Sequence, residues 1–154
     1  TTNPGGRPSS MAVISWSVWA LAPKRRFKSE VEVEAYHPSN VETFEKLEVW
    51  QKAQALSIHV YRLLAGCRDW GFRDQMTRSA NSIADNIAEG AERPGRAEFK
   101  LFLGYAKGSA GETRSQALRG LELGYFSENE GRAMVTELRE ISRMLHGLIK
   151  SLDH

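Results

Sequence analysis

From about Thr43 onward, apolar residues recur at intervals of three and four, and no stretch alternates as a strand would. Val49, Ala53, Leu56, Val60 and Leu63 carry this spacing through a first helix predicted to reach about Leu64, where AGCRDWG (65–71) breaks it. A second helix starts near Phe72 and places Phe72, Met76, Ala80 (or Ser79), Ile83 and Ile87 on one side. EGAERPG (89–95) ends it, with Gly90 a candidate left-handed cap and Pro94 suited to the first turn of the next helix. The third, from about Pro94 to Leu123, turns Phe99, Leu103, Ala106, Ala110, Thr113, Ala117 and Leu121 inward and stops at a Gly124 cap. Ser127 and Glu130 form an S-x-x-E capping box that opens the fourth, where Met134, Leu138, Ile141, Leu145, Leu148 and Leu152 keep the period. Amphipathic helices on short connections run antiparallel to their neighbours and pack at about 20°. The pattern therefore predicts an all-α, antiparallel up-down-up-down four-helix bundle.

Residues 1–42 lack this order. TTNPGGRPSS (1–10) is turn-rich, and the apolar run Met11 to Ala22 is too short to span a bilayer. Ala20-Leu21-Ala22 resembles a signal cleavage site, but Lys24, Arg25 and Arg26 follow the apolar run instead of preceding it. The expectation is a disordered or non-native N-terminal extension at 1–42 and one bundle domain at 43–154. A formal charge of +2 excludes a bulk polycation, so any nucleic-acid contact must come from charge gathered on one face. A single cysteine, Cys67, excludes an intrachain disulfide and a multi-cysteine zinc site, and it suits a reducing cytoplasm.

Two polar stripes qualify the picture. In RSANSIADNIAEGAER (78–93), Arg78, Ser82, Asn86 (or Asp85) and Glu89 step by four, four and three and so share one helix face. That face is either solvated or a seam against another chain, since Ser and Asn permit close approach and hydrogen bonding. In the third helix Arg93, Lys100, Lys107 and Arg114 recur every seven residues over roughly 30 Å, with Arg96 close by and Gly104 and Gly111 on the same side. Lys100, Lys107 and Arg114 have no acidic residue three or four positions away. The stripe is solvated, matched by Glu130 and Glu137 of the fourth helix, or offered to phosphates. Helix-interior glycines cost about 1 kcal/mol each against alanine, which is easier to understand where something approaches closely. Candidate nucleic-acid contacts are thus Arg93, Arg96, Lys100, Lys107 and Arg114. Candidate oligomer contacts are Arg78, Ser82, Asn86, the small-residue face Gly104, Gly108 and Gly111, and Trp50, which flanks the Val49 stripe.

FEKLEVWQKA (44–53), RSANSIADNIAEG (78–90), FKLFLGYAKGSAGE (99–112) and LELGYFSENE (121–130) occur in an order that carries a resemblance. Over about residues 43 to 152 the chain resembles the four-helix bundle proteins encoded in intervening sequences of bacterial 23S ribosomal RNA genes. The segment before Phe44 has no counterpart there, and the turn at GCRDWGF (66–72) is shorter. The resemblance implies a cytosolic bundle that assembles into rings, commonly pentamers, in a family whose members mostly have no established activity. It also implies kinship with the accessory protein of diversity-generating retroelements, which associates with a reverse transcriptase and nucleic acid. The partners implied are further copies of this chain, RNA or DNA, and a reverse-transcriptase-like protein, with no membrane.

Catalytic signatures are missing. A bundle di-iron site needs Glu-x-x-His pairs, but Leu56 precedes His59 by three residues and Arg143 precedes His146; His37 and His154 lie in the leader and at the chain end. Cys67 sits beside Arg68 without a nearby histidine. GYAKGSAGE (104–112) has glycines but follows no strand, and GAERPGR (90–96) lacks the ending of a P-loop. Trp50, Tyr61, Trp70, Tyr105, Tyr125 and Phe126 are spread over several helices and turns, which favours packing at helix ends or the oligomer interface over a base-stacking platform. The reading is a non-enzymatic, ring-forming scaffold for protein or RNA association, without cofactor or metal. The alternatives are a metal-dependent RNA-processing enzyme built on Asp85, Glu89 and Glu92, and a protein-only adaptor.

Overall fold

The computed structural model describes residues 44–153, so the expectations for residues 1–42 lie outside the described residues. A 3-10 turn at Phe44–Lys46 leads into α1 (Glu48–Leu63), α2 (Trp70–Glu92), α3 (Arg96–Leu123) and α4 (Glu128–Ser151), with no strand among the described residues. Each helix packs against two others: α1 and α3 both contact α2 and α4. Cross-helix contacts run in opposite chain directions. Along α2, Phe72, Ser79, Ser82 and Gly90 meet Gly120, Gln116, Ser109 and Phe102 of α3 in descending order. Leu121 of α3 lies against Gly131 of α4, and Lys100 pairs with Asp153 just beyond the far end of α4. The neighbours are therefore antiparallel, as the short connections require.

The predicted stripes form the core. Leu56, Val60, Met76, Ile83, Ile87, Phe99, Leu103, Met134, Leu138, Ile141 and Leu145 are each fully buried, while Leu63, Leu121 and Leu148 pack at its margin. Burying each large side chain contributes about 1.5–3 kcal/mol. This outweighs the weak helix propensity of the Ser and Asn residues carried by α2.

The termini show local chemistry in detail. The Ser127–Glu130 capping box forms, and Gly124 ends α3 with φ +71°, the one positive-φ glycine among the described residues. Asp69 accepts a hydrogen bond from the Phe72 N–H at 2.9 Å, so α2 begins at Trp70, earlier than its apolar stripe suggests. Leu47 is extended, which separates the 3-10 turn from α1 and starts that helix at Glu48, not near Thr43.

Gly90 is not a left-handed cap. It lies buried inside α2, where a Cβ would sit 2.6 Å from Phe102 Cβ and 3.0 Å from Phe99 Cδ2. The residue is glycine because α3 crosses there. Helix α2 ends instead at Glu92, since the residue before a proline is pushed out of the helical region and Arg93 adopts ψ 144°. Pro94 precedes the Gly95 N-cap of α3 and does not enter its first turn.

Gly131 has a similar constraint between helices. A Cβ there would overlap Leu121 Cγ and Cδ2 and lie 2.9 Å from Phe126 Cε2. Gly147, on the exposed side of the same helix, would meet nothing within 4 Å. Gly131→Ala is expected to destabilise by about 1–2 kcal/mol, because displacing a branched carbon exceeds the gain in helix propensity. Gly147→Ala should stabilise by about 0.5–1 kcal/mol. Urea unfolding of both variants checks the pair, and a shift of the same sign in both would contradict the packing.

Candidate interaction face

Helix α3 is the longest element and has three distinct sides. Its inner side fills the core. The side facing α2 carries short polar residues that meet the polar residues of segment 78–93. Ser79 Oγ donates to Gln116 Oε1 at 2.6 Å, and Thr113 Oγ1 donates to Ser79 Oγ at 2.9 Å. Ser109 Oγ donates to Ser82 Oγ at 3.0 Å, which also accepts from Asn86 Nδ2 at 2.9 Å. On the opposite flank of α2, Ser57 Oγ donates to Asn81 Oδ1, and Asn81 Nδ2 donates to Tyr61 Oη at 2.8 Å.

The polar residues at 78–93 thus divide by face. Ser79, Ser82 and Asn86 face α3, Asn81 faces α1, and Arg78, Asp85 and Glu89 are exposed. The seam joins helices of one chain. Among the described residues no buried side-chain polar atom lacks a partner, so the seam fixes helix register without leaving an unmet group for chemistry.

The basic stripe is uneven. Arg93 pairs with Glu89 and lies 5.2 Å over the Phe102 ring, while Lys100 pairs with Asp153. Arg96, Lys107 and Arg114 have no ion pair among the described residues; Arg96 and Lys107 are exposed and Arg114 is half-buried. Glu130 and Glu137 do not neutralise the stripe. Glu130 closes its capping box, and Glu137 faces α1, where the nearest cation is Lys52. Burial pushes the Glu137 carboxyl up to about 7, with Lys52 opposing the shift and Glu140 adding to it.

The third side of α3 faces outward. Gly104 and Gly108 are exposed and Gly111 half-exposed, and a Cβ at any of them would meet nothing within 4 Å. Leu101, Tyr105, Leu118 and Leu123 share the helix's outer surface at about half exposure each. Tyr105 was among the aromatic residues the sequence offered for an interface, whereas Leu101, Leu118 and Leu123 were missed in the sequence pattern. Their signal was apolar character at positions outside the inward stripe.

Trp50, the other interface candidate, is half-buried with its ring edge on Phe44 at 5.1 Å. Tyr125 and Phe126 also pack inward, whereas Tyr61, Trp70 and Tyr105 are exposed, so the aromatic residues do not behave as one class. Asp85, Glu89 and Glu92 do not gather into a metal-holding group, and none of three or more His, Cys, Asp or Glu side chains exists among the described residues. Nor is any described helix long and apolar enough to cross a membrane.

Residues 45–147 match the 23S rRNA-intervening sequence protein family across the whole bundle apart from its last turns. The chain belongs to that family. A crystal structure of a protein of unknown function from the S23 ribosomal protein family of Bacteroides thetaiotaomicron superposes with a TM-score of 0.63. It is 24% identical, with 66% of this chain and 98% of that chain covered, a likeness of fold. No curated protein matches the chain. On this 23S rRNA-intervening sequence protein the outer surface of α3 presents open glycines, exposed apolar residues and cations without an ion pair among the described residues.

Proposed function

We propose that the protein is a non-catalytic scaffold that self-associates through the outer face of α3 and works by holding RNA. The observation that carries this reading is the combination on one helix of open glycines with half-exposed Leu101 and Tyr105. Apolar side chains gathered around backbone left bare by glycine form a surface that a second helix can approach closely, and contiguous exposed apolar area marks association sites. Arg96, Lys107 and Arg114 lie along the same helix without carboxylate partners among the described residues. Assembly would repeat that weak patch around one RNA and sum its phosphate contacts. The family's name links it to ribosomal RNA genes, which supports RNA as the polyanion.

Native mass by light scattering, with and without added RNA, tests the reading. Wild type is expected to run as a multiple of 17.3 kDa. A Gly104→Lys, Gly108→Lys variant should retain its helical circular dichroism and run as a monomer. Lys107→Glu with Arg114→Glu should keep the assembled mass but weaken RNA binding, with a shallower dependence on salt. A monomeric wild type that binds no RNA overturns the proposal; an assembled wild type without RNA affinity leaves a protein-only adaptor.

A further inference from the structure

The end of the bundle where α1 gives way to α2 carries a second cationic surface, away from the outer face of α3. A shallow groove of about 530 Å³ opens there between Tyr61 and Ala65 on one bank and Arg73, Asp74, Thr77 and Arg78 on the other. Its volume falls in the range of small-ligand clefts. The Arg73 guanidinium lies 4.3 Å from the centroid of the Trp70 ring and covers one face of it. Trp70 nevertheless remains 62% exposed, which leaves the other face of the indole to solvent. Trp70 flanks the groove through Arg73 and is not in its lining; on the α1 bank Tyr61 is 52% exposed, and its hydroxyl accepts a hydrogen bond from Asn81 that fixes the ring's position.

The groove lining is net cationic, with Arg73 and Arg78 against Asp74. Arg73 and Arg78 form no ion pair among the described residues. Asp69, just before α2, is engaged by the Phe72 N–H and the Tyr125 hydroxyl, at 2.9 and 2.8 Å. Asp74 alone brings a carboxylate into the groove lining. Two guanidinium groups in the lining, with an exposed ring on each flank, is an unusual combination for a surface that only meets water. Guanidinium groups bind phosphates in pairs of parallel hydrogen bonds, and exposed rings stack bases regardless of sequence. An acidic peptide would use the first feature and have no use for the second.

We propose that this groove binds single-stranded nucleic acid: Trp70, stacked on the groove-lining Arg73 at its edge, takes one base, Tyr61 a neighbouring one, and Arg73 and Arg78 hold the intervening phosphates. The proposal deepens the RNA-holding reading and rests on it, but assigns the base contacts to the α1–α2 end and not to α3. Arg73 prepares the site. By stacking on one face of Trp70 it fixes the indole and adds its charge behind the base.

Fluorescence anisotropy with the full chain tests this, using labelled single-stranded oligouridylate, oligodeoxythymidylate and a short RNA duplex at two salt concentrations. Single strands are expected to bind more tightly than the duplex, and comparison of the two single strands distinguishes RNA from DNA as the natural source. Trp70→Ala should lose about tenfold in single-strand affinity, and Trp70→Phe should recover most of it, since phenylalanine also offers a ring face. Arg73→Gln with Arg78→Gln should weaken binding and flatten its salt dependence. If the Trp70 and arginine variants bind like wild type while Lys107→Glu with Arg114→Glu does not, the groove proposal falls and the RNA-holding reading stands. A wild type that binds no oligonucleotide defeats both. Equal competition by an oligoglutamate of matched charge, with no effect of Trp70→Ala, would show a general polyanion surface and overturn the proposal.

Discussion

Phe99→Ala is expected to destabilise the bundle by about 3–5 kcal/mol, the largest effect of any single truncation considered. Phe99 is 1% exposed and lies where α3 crosses α2, its ring packed against the bare backbone at Gly90. Removing it loses the burial of the ring and leaves a cavity that Gly90, having no side chain, cannot fill. Two positions along the same helix turn provide the control. Leu101 is 53% exposed, so Leu101→Ala should change the stability of a dilute, unassembled chain by less than about 0.5 kcal/mol. Phe102, half-buried beneath Arg93, should fall between. Urea titration of the three variants, repeated at several protein concentrations, checks the ranking. A Leu101 effect that grows with concentration would come from assembly and not from the monomer core. Equal costs for Phe99 and Leu101 at high dilution would contradict the register of α3.

The architecture was legible because burial and helical period coincide. Val49 to Val60, Phe72 to Ile87 and Met134 to Leu145 lie inward where the three-four spacing puts them. Local capping was legible for the same kind of reason: a Ser127–Glu130 box and a Gly124 cap are decided within a few residues. What could not be read depends on contacts made by distant segments. Gly90 and Gly124 look alike in sequence, and only the arrival of Phe99 and Phe102 makes one a contact glycine and the other a turn. Ser82 and Asn86 form a polar stripe whose partner, Ser109, sits on another helix. Lys100 has no acid within a turn, yet it finds Asp153 at the far end of the chain.

The candidate sites show the same division. The glycines of α3 were visible as a small-residue face, and the structure leaves them open. Tyr61 and Arg73 were not legible as two banks of one groove, because they belong to different helices and meet only once α1 and α2 fold back on each other. Spacing along one chain segment records what a single helix presents. It carries little about what two helix ends build together.

Raising the pH from about 5 to 8 is expected to cost the folded state about 2–3 kcal/mol through one residue, Glu137. Its carboxyl is pushed up to about 7, first by burial between α4 and α1 and further by Glu140, with Lys52 pulling the other way. Lys52 cannot compensate fully because it also pairs with Glu140 at 3.4 Å. In the unfolded chain the same group loses its proton near pH 4.5. Between those two values the folded state holds one proton more, so stability is highest below the lower value and falls as pH rises through the upper one. Glu137→Gln replaces the group with one that stays neutral at every pH. The variant should match wild type below about pH 4, and its advantage should widen by about 2–3 kcal/mol between pH 5 and pH 8. His59 titrates nearby and contributes in the opposite sense, because burial lowers its pKa and acid therefore favours its unfolded form. Subtracting wild-type from variant stability at each pH cancels that contribution, since both proteins carry His59. Urea midpoints measured at half-unit steps of pH would give the difference curve directly. A flat difference would mean that Glu137 is ionised in the folded bundle throughout, and that the α1–α4 interface admits enough water to solvate it.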